Sequence, residues 1–414
     1  MVDEVGSSDA REGVIETRRS RVGIPGHQVG KHVKKARRRR PRSDDAVVTL
    51  ADVAERAGVS LATASRVLGG SNRVVGGELR DAVHRAAAEL GYSANLQARA
   101  VARGTSDTMG VVVHDIADPY FSTIAAGVME VAYAGSMVVS LTGASADTDR
   151  ELAFVAMMRA QRARALVLIG SRTDNVPATE DLRRELRAFT RSGGRVVCVG
   201  QDVLGVDTVR PQNADGARNL ARALVGQGHR DFVILAGPPG LRTAQDRVAG
   251  FQAGLADRGI ELPDSDVIPG PFTRDGGYEA AGVALAGRAV GRSVGRSDGR
   301  LDGRSAGRLD GSDGSGRVRP LCLFAVNDVM AVGALAYLRV AGVAVPDEVA
   351  VAGFDDIPTL QDITPSLSTV ALPLFRMGEM AARLALRPPD DSQPRVVPIS
   401  GQVLLRQSSA TRLH

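Results

Sequence analysis

Cysteine is scarce in this sequence, and histidine is thinly spread. Two Cys occur in 414 residues, Cys198 and Cys322, and each lies inside an apolar run. That number excludes a scaffold of several disulfides and a zinc site built from Cys ligands. The six His are scattered, with no pair at the spacing of metal ligands. The sequence therefore predicts neither a disulfide framework nor a bound metal.

Long apolar runs are also missing. No stretch of about 18 apolar residues occurs, so we expect no membrane-spanning helix. The N-terminal region is charged and lacks the apolar core of a secretory signal, roughly 7–15 residues long. We therefore expect a soluble protein of the cytoplasm, associated with the nucleoid if it binds DNA.

Motifs of catalysis are absent as well. The sequence has no recognisable Ser-His-Asp or Cys-His arrangement and no GxxxxGK[ST] phosphate-binding loop. Pro238, Pro239 and Gly240 follow a predicted strand, and this composition is typical of a turn. The sequence predicts that the protein is not an enzyme and needs no cofactor.

The net charge of +5 comes from one end of the chain. Residues 1–46 hold twelve Lys or Arg and seven Asp or Glu, so the other 368 residues are balanced, with 40 of each sign. Most of the excess lies in KHVKKARRRRPR, residues 31–42. Because residues 1–46 lack apolar periodicity, we predict a disordered basic leader. An arm that follows DNA phosphates is the alternative.

A helix-turn-helix pattern follows the leader. Thr49 is suited to cap a first helix, with Asp52 at the reciprocal capping position three residues later. Gly58 ends that helix, and Ser60 caps the next helix at once. A third helix, near residues 78–90, supplies an apolar face for the first two. Two short helices joined by a tight turn form a DNA-binding motif.

From Met109 on, short apolar runs alternate with amphipathic helices. Fully apolar strands separated by helices indicate parallel strands covered on both faces. We therefore predict an α/β domain of two doubly wound parallel-sheet subdomains, with ligands bound at strand ends between them. The predicted strands are the runs MGVVVH, MVVSLTG, ALVLIG, RVVCVG, DFVILAG, LCLFAVND and VAVAGFDD. The predicted helices include 119–134, 148–161, 214–227, 243–258 and 327–341.

Residues 287–317 interrupt this alternation. A Gly-Arg pair recurs every four residues through much of the segment, without an apolar face. Gly at every fourth position disfavours helix, so we predict a solvated loop inserted between a helix and the next strand. An Arg-Gly tract that binds nucleic acid is the alternative.

The run TLADVAERAGVSLATASRVL resembles the headpiece signature of the LacI-type (LacI/GalR) transcriptional regulators. GHRDFVILAGP, DRVAGF, FAVNDVMAVGAL and VAVAGFDDIP resemble the effector domain of the same family. The resemblance covers about residues 47–286 and 318–410. It implies a headpiece over 47–93, a hinge over 94–105, and over 106–414 an effector-binding and dimerisation domain with the periplasmic-binding-protein fold. It also implies a homodimer that binds partly palindromic operator DNA under the control of a small effector. A repressor is the favoured role.

The second helix of the headpiece is predicted to read DNA. Early side chains of a recognition helix reach base edges in the major groove. Arg66 is suited to grip a guanine and Leu61 to touch a thymine methyl group, whereas the short hydroxyls suit phosphates. The alternatives are a solvated charge or a phosphate contact for Arg66, and plain packing for Leu61. The predicted DNA-binding residues, hinge included, are Thr49, Ser60, Leu61, Ala62, Thr63, Ser65, Arg66, Asn95 and Val101.

The hinge departs from the family pattern at two positions. The resemblance gives Val101 the role of an apolar wedge in the minor groove, where most members carry Leu. Ala94 stands where Pro is usual. A wedge unstacks a base step and bends the DNA, and Val is shorter than Leu, so we expect a shallower wedge. A plain linker is the alternative.

Six residues near strand ends are predicted to contact the effector. By resemblance, Arg247 and Asp355 are polar grips on the ligand, and Phe272 lies where members stack an aromatic ring. Aromatic, carboxylate, guanidinium and amide groups together suit a sugar. Core packing is the alternative for the two Phe residues, and turn capping for Asp355. The predicted set is Tyr120, Phe121, Arg247, Phe272, Asn327 and Asp355.

The sequence leaves more than one ligand class open. A sugar or sugar derivative is the favoured effector, and a purine or nucleoside is the second hypothesis. A solute-binding protein of the same fold is disfavoured, because the sequence contains a helix-turn-helix pattern and no secretory signal.

Overall fold

The protein is described here by a computed structural model. It describes residues 48–69, 75–92, 105–144, 147–297, 320–388 and 393–410, with backbone alone over 289–297. Contacts divide the chain into two compact units, with the main boundary after Tyr92.

The first unit is a bundle of three short helices. Val53 and Ala54 in the first helix, Ala64 in the second, and Val83 and Ala86 in the third are buried. An ion pair joins the first and third helices at the surface, with 2.6 Å between Arg56 Nη2 and Glu89 Oε2. The helices are α1 (Leu50–Arg56), α2 (Leu61–Gly69) and α3 (Gly77–Glu89).

The second unit is an α/β structure with two parallel sheets. Its helices are α4 (Pro119–Ala134), α5 (Thr148–Ala160), α6 (Val176–Arg191), α7 (Asn213–Gly226), α8 (Arg242–Ala256), α9 (Arg274–Ser297), α10 (Asp328–Val340) and α11 (Leu374–Ala385). Its strands are β1 (Ser106–Val113), β2 (Val138–Gly143), β3 (Ala163–Ile169), β4 (Arg195–Val199), β5 (Asp207–Pro211), β6 (Phe232–Leu235), β7 (Val267–Ile268), β8 (Leu321–Ala325), β9 (Val349–Ala352), β10 (Thr369–Ala371), β11 (Val396–Ile399) and β12 (Gln402–Leu404).

The amino-terminal subdomain is built on six parallel strands in the order β11-β5-β4-β3-β1-β2. Alternate residues of β1 enter different cores: Val111 packs in the core that contains Phe121, and Val112 in the core that contains Phe154. Helices α4 and α11 pack together, as do α5 and α6. The contact between α4 and α11 requires glycine, because a Cβ on Gly127 would lie 2.0 Å from the carbonyl oxygen of Phe375.

The second subdomain is built on four parallel strands in the order β7-β6-β8-β9. Helix α7 packs against α8, and α9 packs against α10. Among the described elements, the chain passes between the subdomains three times: after β5, after β10 and after β11. The antiparallel pair β10-β12 belongs to these connections, which place the carboxyl ends of the two parallel sheets near one another.

The predicted architecture is confirmed. All seven predicted strands are present and parallel, within a few residues of their predicted bounds. The sequence analysis did not identify α6, α11, β5 or the short strands β7, β10 and β12. It also missed β11, a strand at the edge of its sheet that contains Pro398.

One prediction was wrong in part. Residues 287–317 were expected to form a loop, but α9 continues to Ser297. The apolar first half of α9 packs on the sheet, and Arg288 anchors it through Asp231 and Asp266 at 2.9 and 3.0 Å. Extending an established helix adds one hydrogen bond per residue, so occasional Gly residues at about 1 kcal/mol each do not stop it. Residues 298–319 lie outside the described part of the chain.

Candidate functional site

The turn between α1 and α2 is fixed by the residues that the sequence indicated. The Asp52 carboxylate accepts hydrogen bonds from the Thr49 backbone N–H at 2.8 Å and from its hydroxyl at 2.7 Å. Gly58 adopts a φ of +65°, where a residue without Cβ is favoured. Ser60 Oγ then accepts from the Thr63 backbone N–H at 3.1 Å, at the start of α2.

Helix α2 presents the predicted DNA-reading side chains to solvent. Leu61 is 54% exposed, a large value for a Leu, and Ala62, Ser65 and Arg66 are also exposed. Thr63 is half-buried, and its hydroxyl lies 2.8 Å from that of Ser60. Burial of Ala64 orients the opposite side of α2 toward the three-helix core. The two hinge residues, Asn95 and Val101, lie outside the described residues.

Arg247 is the largest fully buried side chain of the described residues, and it is surrounded by acceptors. Its Nε donates to Asn213 Oδ1 at 2.9 Å, and Nη1 donates to the Val326 carbonyl at 2.7 Å. Nη1 and Nη2 also donate to the two carboxylate oxygens of Asp355, at 3.2 and 2.7 Å. The guanidinium lies 3.9 Å from the centre of the Phe354 ring. Arg247 and Asp355, both predicted to bind the ligand, are therefore bonded to each other.

Asp355 has an unusual backbone conformation. Its φ is +123° and that of Asp356 is +57°, in the region that favours glycine. Burial raises the pKa of Asp355, and the charge of Arg247 opposes this rise. Residues held in such sparsely populated conformations tend to cluster at functional sites, where the surrounding structure maintains them.

Two residues beside this pair stabilise the start of α10 and the loop that carries Asp355. Asn327 is buried, and its Oδ1 accepts from the Met330 backbone N–H at 2.9 Å, as the N-cap of α10. Asp328 accepts from the Thr369 hydroxyl at 2.7 Å and from the Ile357 backbone N–H at 3.1 Å. Burial raises the pKa of Asp328 to about 6. The structure places Asn327 beside the pair, with its oxygen engaged in capping.

The amino-terminal subdomain contributes Tyr120 and Asp118 to the same place. Burial raises the pKa of the Tyr120 hydroxyl, and the nearby charge of Asp355 raises it further. Burial also raises the pKa of Asp118, which is close enough to Arg247 to be partly stabilised by it. Asp118 is the N-cap of α4 and accepts from the Tyr120 backbone N–H at 2.9 Å. Charged groups from both subdomains therefore face one another.

The two predicted Phe residues occupy different surroundings. Phe121 is buried, and its ring contacts Tyr120 edge-on at 5.0 Å and stacks on His114 at 5.8 Å between ring centroids. Phe121 therefore supports Tyr120 from the core. Phe272 is half-buried and packs so closely on Gly237, which follows β6, that a Cβ there would lie 2.6 Å from its ring. Effector contact by either ring stays a prediction.

The subdomains are directly bonded along one edge of this region, through a set of contacts that we call the subdomain bridge (residues 171–174 and 201 with 240–246). Thr173 and Leu241 form an isolated antiparallel β-bridge. Gln201 accepts from the Arg172 backbone N–H at 2.9 Å and donates to Thr243 Oγ1 at 2.9 Å. The Thr243 backbone N–H donates in turn to Ser171 Oγ at 3.0 Å. The bridge therefore ties the start of α8, one turn before Arg247, to the amino-terminal subdomain.

A polar cavity lies next to the bridge, at the carboxyl ends of β1 and β3. Arg172 and Glu151 line it as an ion pair, with Arg172 Nη1 3.0 and 2.8 Å from the two carboxylate oxygens. The buried Nε of Arg172 has no hydrogen-bond partner among the described residues. His114 also lines the cavity, and its pKa is lowered by burial and by the charge of Arg172.

Several polar residues of this region were not singled out in the sequence. Asp118 had a usable signal, because an Asp followed by Pro at the start of a helix after β1 is typical of an N-cap. Gln201 and Asn213 follow β4 and β5, a position that strand ends alone would flag. Arg172 and Glu151 lie in ordinary loop and helix sequence, and only the fold brings them together. Among the described residues, no cluster of three or more His, Cys, Asp or Glu is arranged to hold a metal.

Comparison with known families agrees with this organisation. Residues 49–95 match the model of the bacterial regulatory proteins of the lacI family. Residues 106–286 match the periplasmic binding proteins and sugar-binding domain of the LacI family, and residues 221–409 match a periplasmic binding protein-like domain. No helix in the described part of the chain has the length and apolar character needed to span a bilayer.

Individual relatives point the same way. The chain is 33% identical over 343 residues to the HTH-type transcriptional regulator GalS of Salmonella typhimurium, covering 82% of this chain and 90% of that protein. It also resembles a solved transcriptional regulator CelR-cellobiose complex, with 26% identity, 87% and 99% coverage and a TM-score of 0.58. The lac repressor dimer bound to operator and the anti-inducer ONPF shares the fold, with 23% identity, 88% and 100% coverage and a TM-score of 0.71. The headpiece, the paired parallel-sheet subdomains and these similarities show that the chain belongs to the LacI family of DNA-binding, effector-controlled transcriptional regulators.

Proposed function

We propose that this regulator is a repressor that binds operator DNA through α2 and responds to a sugar held between the subdomains of its second unit. The effector part of this proposal rests on the buried Arg247–Asp355 pair, which lies within electrostatic range of Asp118 and Tyr120 from the other subdomain. Polar groups converging from two subdomains at strand ends are typical of a small-molecule site.

The DNA-binding part of this proposal rests on the exposed face of α2. We propose that Arg66, which is exposed, donates to a guanine and that Leu61 contacts a thymine methyl group. The 54% exposure of Leu61 at the N-terminal end of α2 supports this contact, because early side chains of a recognition helix reach base edges in the major groove. Ser60, Thr63 and Ser65 are proposed to contact phosphates, which sets the position of the helix on the duplex.

The bonds that Arg247 makes within the protein change the ligand contacts that the sequence predicted for it. Arg247 already donates to three protein acceptors, so we propose that the effector contacts Asp355 and the remaining N–H of Arg247 without replacing their mutual bonds. Tyr120 closes the site from the other subdomain, and Phe272 offers a partly exposed ring. A sugar fits such a mixture of aromatic surface and hydroxyl-binding groups. The solved relative with cellobiose, whose sequence is 26% identical, supports this class.

A dimer follows from the need to read two half-sites. The lac repressor structure is a dimer, and we propose the same assembly for this chain. Met129, Tyr133 and Val138 are 49%, 83% and 57% exposed, on the far end of α4 and on β2, and supply an apolar surface for it. We propose no enzymatic activity, and a site of action in the cytoplasm, where the operator is.

Two experiments test the proposal with the full chain. Selection from random DNA duplexes should return a partly palindromic site, and Arg66→Ala should lose preference at a symmetric pair of positions in it. Thermal unfolding across a panel of sugars and nucleobases should show stabilisation by a sugar, which must then change the affinity for the selected duplex. An enriched site without symmetry would contradict the dimer, and stabilisation by a nucleobase alone would contradict the sugar.

A further inference from the structure

One end of the second unit carries exposed arginines without acidic partners. The carboxyl ends of its two parallel sheets lie near one another, so the amino ends of their strands lie at opposite ends of the unit. At the amino ends of β1, β3 and β4, four arginines form a surface that we call the basic edge (Arg162, Arg164, Arg187 and Arg191). All four are exposed, and none forms an ion pair with a described residue.

Neighbouring elements hold these four arginines together. The backbone N–H of Ser106, where β1 begins, donates to the Arg162 carbonyl at 2.7 Å. Arg164 lies at the start of β3, which pairs with β1 on one side and with β4 on the other. Helix α6 ends at Arg191, immediately before the turn into β4, and Arg187 lies one turn earlier. The basic edge is therefore continuous across the ends of these strands.

Three acidic groups at this end of the unit are engaged in ion pairs with other arginines. The N···O distances are 2.7 Å in Arg159–Glu185, 3.1 Å in Arg195–Asp207 and 3.2 Å in Arg383–Glu379. The remaining charged residues described at this end are Asp107, Glu130, Arg387 and Arg395. Those four balance one another, so the basic edge leaves a net positive charge on the surface.

The chain from the headpiece enters the second unit at this same end. A Cβ on Gly193, in the turn after α6, would lie 3.7 Å from Cγ2 of Thr105. Residues 93–104 join the headpiece to Thr105, and a linker of this length spans at most about 40 Å when fully extended. The linker contains two Arg and no Asp or Glu, so it supplies no counter-charge for the basic edge.

We propose that the basic edge is a second DNA-binding surface, which contacts phosphates of the duplex that the headpiece binds. Double-stranded DNA carries one negative charge for about every 1.7 Å of its axis, so it matches a row of exposed guanidinium groups. Because the linker tethers the edge to the bound headpiece, contact with the same duplex is intramolecular, and individually weak contacts add to the affinity. This inference needs only the DNA binding of the family, and it is independent of the proposed sugar effector and of the proposed Arg66 contact.

The salt dependence of DNA binding tests this inference. Fluorescence anisotropy of the full chain measures its affinity for a labelled duplex from the selection experiment and for a scrambled duplex, between about 50 and 200 mM KCl. Each lost phosphate contact lowers the slope of log affinity against log salt by about 0.9. Arg164→Gln/Arg191→Gln should therefore lower the slope by about 1.8 per bound chain, whereas Arg164→Lys/Arg191→Lys should largely keep it.

The matched control removes two arginines from the opposite end of the same unit. Arg258 and Arg339 are exposed and form no ion pair with a described residue, and Arg339 lies in the last turn of α10, as Arg191 does in α6. Arg258→Gln/Arg339→Gln should leave the slope unchanged. An equal decrease in this control would show a general charge effect, and an unchanged slope in Arg164→Gln/Arg191→Gln would exclude contact by the edge. Either result overturns the proposal.

Two other roles of the basic edge have distinct signatures. Phosphate contacts carry no sequence information, so the edge variant should weaken binding to the selected and scrambled duplexes by the same factor. A loss confined to the selected duplex would mean that the edge acts through the headpiece, and it contradicts the proposal. A changed oligomeric state without DNA, measured by sedimentation, would assign the edge to a second copy of the chain. If selection enriches no site, the scrambled duplex still tests the edge, whereas the proposed base reading by α2 has failed.

Discussion

Removal of one partner from the Arg247–Asp355 pair should strongly destabilise the second unit. Arg247→Met leaves the Asp355 carboxylate 95% shielded from water without a counter-ion, and it also removes donors to Asn213 and the Val326 carbonyl. Breaking a buried pair in this way costs about 3–5 kcal/mol of the free energy of unfolding. Asp355→Asn should cost a similar amount, since the guanidinium then lacks a full counter-charge.

The magnitude of the pairwise coupling follows from the geometry. With 2.7 Å between Nη2 and Oδ1, the charge centres lie roughly 4 Å apart, which gives about 4 kcal/mol of attraction at an effective dielectric constant near 20. The double variant Arg247→Met/Asp355→Asn buries no net charge. It should therefore be more stable than the sum of the two single effects by roughly 2–4 kcal/mol.

Urea unfolding followed by far-ultraviolet circular dichroism measures this cycle, since the chain has no Trp for fluorescence. The matched control is the bidentate pair Arg218–Asp257, whose bonds are both 2.7 Å long but whose side chains are 43% and 26% exposed. Water screens that pair, so its cycle should show a much smaller coupling. Additive effects at Arg247 and Asp355 would refute the reasoning, because they would mean that the buried pair contributes no interaction energy.

Three further predictions test the other parts of the molecule. Arg66→Ala should cost about 1–3 kcal/mol of operator affinity, measured at fixed salt, and should affect a scrambled duplex much less; an equal loss on both would indicate a phosphate contact. Gln201→Ala removes two hydrogen bonds at the centre of the subdomain bridge. Without effector, amide hydrogen exchange at residues 171–174 and 241–245 should therefore become faster, by an amount that corresponds to roughly 1–3 kcal/mol of opening free energy. Gln161→Ala, at an exposed position, should leave these exchange rates unchanged. Burial raises the pKa of Asp328 to about 6. Between about pH 4 and 6, the folded chain therefore keeps a proton on Asp328 that the unfolded chain has lost. Because the folded state binds more protons, the contribution of Asp328 to the free energy of unfolding falls as the pH rises through that window. From pH 4 to pH 7, the wild type should therefore lose about 2 kcal/mol relative to Asp328→Asn in urea unfolding, and parallel pH profiles would contradict this assignment.

Much of the fold was predictable from the sequence because it depends on local patterns. The caps at Thr49, Asp52 and Ser60 and the turn at Gly58 depend on residues within a few positions of one another, and the structure forms them as expected. The apolar runs of the parallel strands were identified for the same reason, since strands covered on both faces need nearly continuous apolar sequence. The positions of Arg247 and Asp355 at a candidate site were also predictable, from the strings in which they lie.

The bonding within the site was decided by tertiary structure. Arg247 and Asp355 are 108 residues apart, and nothing local in either string indicates that each is the partner of the other. The same holds for Gln201 and Thr243, which belong to different subdomains. The continuation of α9 into the Gly-Arg segment was likewise set by packing and by the Arg288 ion pairs, against the local helix propensity. Local sequence determines where helices and strands begin, because capping and apolar periodicity act over a few residues, whereas the pairing of buried charges depends on which distant elements the folded sheets bring into contact.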